Sequence, residues 1–140
     1  MELSDALDYI RQRRQGVIVA ITSDGRPQLS NIVYGVDDDG TIRISATADR
    51  AKTRNLQRDP RASLHVTDDQ FGTYCVIEGE VEVTPVTTDP GDPTSDALVA
   101  YYRTLAGEHP DWDEYRQAMI DEGRLMLLLR PTRAYGMLSR

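Results

Sequence analysis

Five basic residues fall within twelve positions: Arg50, Lys52, Arg54, Arg58 and Arg61, with Asp59 as the one acid among them, for a local charge of +4. Residues 62–122 carry the opposite sign, −12, and the whole chain sums to −7. A cationic strip on so acidic a chain marks a local anion site rather than a nucleic-acid coat. Lys52 is the only lysine, and a compact ammonium suits a phosphate oxygen that a planar guanidinium would overreach. A helix opening near Arg50 would aim its first free N–H groups, through Arg50-Ala51-Lys52, at an anion. Arg50 and Lys52 add charge in that first turn, and Asn55 lies on the face of Lys52. Ser45 and Thr47 share a strand face just upstream and close the shell. Arg54, Arg58 and Arg61 read instead as a solvated face balanced by Asp49, Asp59 and Asp68.

A second polar constellation is Asp24-Gly25-Arg26-Pro27-Gln28-Leu29-Ser30-Asn31. Pro27 stiffens the entry to a strand, and Gln28, Ser30 and Asn31 place donors within a β run. Two readings stay open: donors facing a planar heteroaromatic ring, or a hairpin with a solvated edge.

Other chemistry is missing. The sequence has no G-x-S-x-G, no H-E-x-x-H, no paired Cys-x-x-Cys, no Gly-Lys phosphate loop and no G-x-G-x-x-G. His65 and His109 read as ordinary surface or core residues, and Cys75 as a small buried hydrophobe. No metal site is expected. Any catalysis would therefore rest on a borrowed cofactor.

The elements that must position these residues follow from periodicity. Ser4 is the expected N-cap of a short amphipathic helix ended by Gly16. Val17–Thr22 is a strand leading to an Asp24-Gly25 hairpin. Gln28–Val36 continues as a second strand, and Thr41–Thr47 returns after the turn at 37–40. The basic strip forms a helix with Asp49 as its N-cap and Pro60 beyond its end. Ala62–Thr67 and Thr73–Thr84 are further strands, the latter with Glu78, Glu80 and Glu82 facing water. Residues 85–94 form a loop. Two helices follow, the second capped by Asp111 and burying Trp112, Tyr115 and Met119. A buried strand over Leu125–Leu129 runs on towards Tyr135-Gly136. At 140 residues this is one domain, mainly β, with six or more antiparallel strands and short peripheral helices in a small barrel. The pI near 4.7, the lack of a long apolar run and an N-terminus unlike a signal peptide predict a soluble cytoplasmic protein, binding neither nucleic acid nor membrane.

The segments D-G-R-P-Q-L-S-N (24–31), R-A-K-T-R-N-L (50–56), R-D-P-R-A-S (58–63) and G-E-H-P-D-W-D-E-Y-R-Q-A-M (107–119) resemble the flavin and deazaflavin reductases related to pyridoxamine 5′-phosphate oxidase. The likeness is nearest to the actinobacterial branch that uses the deazaflavin coenzyme F420. It implies a split β-barrel and a homodimer with two cofactor sites at the subunit interface. It implies that Arg50 and Lys52 hold the cofactor phosphate, with Asn55 and Ser45 beside them, and that Pro27, Gln28, Ser30 and Asn31 run along the ring. Residues near Tyr74 or Tyr135 of the partner subunit would complete the pocket. The implied activity is hydride transfer from the reduced coenzyme to a small conjugated acceptor of enone, quinone or tetrapyrrole type. The cationic strip suits a coenzyme with a phosphate and a poly-glutamate chain, and Arg54 and Arg58 would reach that chain. Alternatives within the resemblance are an FMN-dependent oxidase or reductase and a non-enzymatic cofactor or haem carrier. The end of the chain at 136–140 lacks the arginine-containing segment of the pyridoxamine phosphate oxidases proper, so vitamin B6 oxidation is not expected.

Overall fold

In the computed structural model, residues 1–139 are described. Helix α1 (Leu3–Arg11) buries Ala6, Tyr9 and Ile10, one stripe at helical spacing. Strands β1 (Gln15–Ile21) and β2 (Pro27–Val33) form the Asp24-Gly25 hairpin; β3 (Gly35–Val36) and β4 (Ile42–Thr47) form the next one. Helix α2 (Ala51–Arg58) leads to β5 (Arg61–Thr67) and the long β6 (Tyr74–Val83). Helices α3 (Pro93–Ala106) and α4 (Trp112–Asp121) precede the longest strand, β7 (Arg124–Met137).

The expected strand over Gln28–Val36 is two strands, and that break closes the barrel. The sheet order is β2-β1-β5-β6-β7-β4-β3, every pair antiparallel. Consecutive β2 and β3 thus lie at opposite ends of one sheet, which must curl until its ends meet at Tyr34. Tyr34 is buried; its N–H donates to the Arg14 carbonyl at 2.9 Å and its hydroxyl to the Ile10 carbonyl at 2.6 Å. Alternate residues of each strand fill the interior, among them Ile18, Ile44, Leu64, Ile77 and Leu127. The apolar run in β7 is buried on both faces. Leu125, Leu127 and Leu129 belong to the barrel core, while Met126 is buried outside that cluster; α3 packs on β4 and β7.

Several local expectations are corrected. Ser4 lies inside α1, whose N-cap is Glu2 with no side-chain bond. The helix ends at Arg11, and Gly16 belongs to β1, where a Cβ would sit 2.8 Å from the His65 carbonyl oxygen. Close strand approach, not helix termination, demands that glycine. Asp49 does not cap α2; Arg50 holds that position, and the Asp49 carboxylate accepts from the Thr47 hydroxyl at 2.6 Å. Asp111 does cap α4, accepting from the Glu114 N–H, but Trp112, Tyr115 and Met119 are only half-buried. Trp112 and Tyr115 pack in a ring cluster with Tyr102 of α3 and His109 rather than in the barrel. Asp68 pairs with no arginine among the described residues: its carboxylate accepts from Gln70, Gly72 and Thr73, and these bonds, led by the Thr73 hydroxyl, hold it below the usual carboxylate range. No helix among the described residues is long and apolar enough to cross a membrane.

Candidate functional site

The cationic strip is set in place by its two buried side chains. Thr53 and Leu56 point into the barrel, and the Thr53 hydroxyl donates to the Thr47 carbonyl at 2.8 Å. The end of β4 and the start of α2 are thereby locked together. Because Asp49 is turned back onto Thr47, no side-chain oxygen caps α2 and its first turn holds no acid. The first N–H groups, beginning at Ala51, remain open donors at the positive end of the helix. An uncapped helix start flanked by basic side chains fits a phosphate.

Lys52 is half-buried and makes neither hydrogen bond nor ion pair among the described residues. Burial, followed by repulsion from Arg50 and Arg124, pushes its ammonium below the ordinary lysine value. Such a cation is relieved by an incoming anion. Ser45 projects from the outer face of β4 into the same cleft, of about 340 Å³, as Lys52. Residues 31–33 of β2 form one wall; Arg124, Tyr101, Tyr115 and Met119 form the other.

Arg124 was not among the residues singled out from sequence. It opens β7 and pairs in register with Thr47, on the strand that carries Ser45. Its Nε and Nη2 donate to one Glu122 oxygen at 3.1 and 2.9 Å. The sequence signal available was a single cation directly before an apolar run; its partner strand lay far away in the chain.

The remaining predicted residues divide between faces. Gln28 and Ser30 share the inward-leaning face of β2 and belong to a strut. The Asn55 amide donates to Gln28 Oε1 at 3.3 Å, Gln28 Nε2 to the Ser30 hydroxyl at 2.7 Å, and Arg58 to Asn55 Oδ1 and the Ile21 carbonyl. Asn55 keeps one N–H to offer. Arg58 is tied to β1, Arg54 donates to the Asp49 carbonyl, and Arg61 pairs with Asp59, whose carboxyl that pairing lowers to about 2. The Thr47 hydroxyl is committed to Asp49. Pro27 starts β2 exposed, and Asn31 faces outward with Leu29 and Val33. Among the described residues no cluster of His, Cys, Asp and Glu is placed to hold a metal ion.

Asn31 also borders a second cleft of about 490 Å³, with Val17, His65 and Thr67. This cleft lies on the outer face of the sheet, where cross-strand register aligns Asn31, Val17, His65, Val76 and Tyr135 in one row. Neighbouring rows add Leu29 (61% exposed), Tyr74 and Met137 (51% exposed). Five adjacent strands thus present a face on which exposed apolar side chains are interspersed with Asn31, His65 and Thr67.

Solved structures share this architecture. A conserved hypothetical protein from Mycobacterium tuberculosis is 24% identical with a TM-score of 0.76, covering 98% of this chain and 84% of its own. An F420 reductase is 22% identical with a TM-score of 0.68, covering 91% and 94%. A heme binding protein from Mycobacterium smegmatis is 21% identical with a TM-score of 0.67, covering 96% of this chain and 54% of its own. Residues 3–138 match the family described as pyridoxamine 5′-phosphate oxidase, and the chain belongs to that family.

Proposed function

We propose that the protein is an oxidoreductase that binds the deazaflavin coenzyme F420 and reduces a conjugated organic acceptor of enone, quinone or tetrapyrrole type. The observation that carries this reading is the unpaired, half-buried Lys52 beside an uncapped helix start, with Arg50 and Ser45 adjacent. When bound, the reduced coenzyme supplies the hydride. The chain's own part is to seat the phosphate on Arg50, Lys52 and the first N–H groups of α2, from Ala51 onward, with Ser45 and Asn55 as neutral donors. Thr47 acts through its backbone, holding Thr53 and so the helix. The Pro27–Asn31 segment borders the ring, with Gln28 and Ser30 held rigid by Asn55.

The reading includes a homodimer. The face running from Leu29 across to Tyr135 and Met137 exposes several large apolar side chains, the kind of surface a partner covers. A second copy would cover it and bring its side chains beside Asn31, where the two clefts meet.

Binding should depend on pH through Lys52. Burial and two neighbouring arginines lower its value in the free protein, and a bound phosphate favours the ammonium. Affinity is therefore full below that lowered value and is lost as pH rises through it, earlier than for an ordinary lysine near 10.5. Lys52→Arg should flatten the profile, since guanidinium stays charged. A pH-independent wild-type affinity up to the ordinary lysine range contradicts the assignment.

Activity is tested by mixing the protein with reduced deazaflavin coenzyme and a panel of enones, quinones and tetrapyrroles, and following reoxidation. Turnover with at least one acceptor is expected. Absence of turnover with all of them, or a yellow protein carrying stoichiometric FMN from purification, would overturn the choice of coenzyme. Tight haem binding without turnover would mark a carrier.

A further inference from the structure

The cleft beside Lys52 is larger than a phosphate needs. A phosphate held by Lys52 and the start of α2 fills one end of the 340 Å³ space; the other end is bounded by Arg124, Tyr101, Tyr115 and Met119. The donors in that outer half can be counted. Tyr101 donates its hydroxyl proton to the Val33 carbonyl at 2.8 Å, and Tyr115 donates its own to the Leu98 carbonyl at 3.0 Å. Burial raises both phenols, Tyr115 to about 12, so neither adds charge. Met119 has no donor. Among the described residues Arg124 is the one cation on that wall, and its Nη1 is free because Glu122 holds only Nε and Nη2; the Asn31 amide on the facing wall carries no charge.

We infer that Arg124 is a specificity-determining residue, reading a carboxylate-bearing extension of the coenzyme beyond its phosphate. The inference rests on the coenzyme reading proposed for Arg50 and Lys52. Among the described residues no acidic side chain lines the cleft itself, and Glu122 is engaged by Arg124 at its edge, so an anionic extension is favoured over a cationic one. The tyrosine rings and the Met119 thioether suit methylene spacers between charged groups. Arg54 and Arg58, the arginines expected from sequence to meet a poly-glutamate chain, do not line this cleft, and each gives Nη2 to a backbone carbonyl outside it. The geometry moves that role to the far side of the cleft. Glu122 holds the guanidinium by one edge, which orients the Arg124 side chain and leaves Nη1 to the ligand. Arg124 also acts electrostatically on Lys52, Tyr101 and Tyr115, the residues that surround the cleft.

The experiment titrates the full-length protein with the deazaflavin coenzyme bearing its glutamates and with the same coenzyme stripped of them, reading fluorescence quenching. Wild type should bind the glutamylated form more tightly. Arg124→Gln should weaken that form about tenfold, the scale of a lost charge-assisted hydrogen bond, and change the stripped form by less than about twofold. Glu122→Gln, which removes the competing carboxylate, should tighten the glutamylated form, so the test survives if Arg124→Gln does not fold. An equal loss for both forms, or none for either, overturns the role of Arg124 while leaving the phosphate site standing. Failure of wild type to bind either form overturns both.

Discussion

Replacing Arg50 and Lys52 together with alanine is expected to weaken coenzyme binding by a factor on the order of 10² to 10⁴. Hydrogen bonds to charged groups contribute roughly 1.5–3 kcal/mol each, and about 1.4 kcal/mol is a tenfold change in affinity. The fold should be unaffected. The Arg50 side chain is exposed, Lys52 has no partner among the described residues to lose, and removing a desolvated ammonium relieves repulsion from Arg124. Isothermal titration read beside a thermal melt separates the two effects. Unchanged affinity in the double variant would remove these residues from the phosphate site; a collapsed melt would show that they support the fold instead.

The largest expected loss of stability comes from Gly79→Ala. Gly79 sits at the irregularity where β6 and β7 slip register, opposite Pro131, with Thr132 passed over. A Cβ built there lies 2.1 Å from the Arg130 carbonyl oxygen and 3.1 Å from the Pro131 Cα. Both obstacles are backbone, so relief requires parting the longest strand pair in the barrel. Overpacking typically costs about 1–3 kcal/mol, and each ladder bond lost adds about 1 kcal/mol. A loss of at least ~3 kcal/mol is expected, a large share of the roughly 5–15 kcal/mol that holds a domain together. Gly35→Ala is the contrast: its Cβ would meet the Thr104 side chain at 3.5 Å, ordinary contact, and the variant should melt near wild type. Equal melting of both variants would contradict the reading of the β6–β7 irregularity.

What the sequence disclosed and what it hid separate by distance along the chain. Lys52, Asn55 and Ser45 lie within eleven residues; Lys52 and Ser45 line one cleft, while Asn55, on the next turn of α2, is tied to Gln28. Most of the β strands were legible because they keep a period of two with β-branched residues, and β7 because its Leu125–Leu129 run is continuously apolar. Pairing was not. The bend at Tyr34 that divides one expected strand into β2 and β3 depends on bonds to Arg14 and Ile10, which no local pattern announces. Arg124 entered the site only through the pairing of β7 with β4, a contact between strands more than seventy residues apart. The expected cap at Asp49 failed because a nearer partner, the Thr47 hydroxyl, held its carboxylate. The half-burial of Trp112 and Tyr115 reflects a face split between α3 and water. Apolar spacing on α4 signals contact but does not say how deep it runs.

The most direct measurement is a titration of the wild-type protein with paired ligands that carry or lack the phosphate. FMN is compared with riboflavin, and the deazaflavin coenzyme stripped of its glutamates with its phosphate-free chromophore. If the β4–α2 junction grips a phosphate, each phosphorylated ligand should bind at least about a hundredfold more tightly than its partner, by the same charge-assisted bonds. Equal affinity within each pair, or no binding of any of the four, would contradict the phosphate site and with it the proposed oxidoreductase.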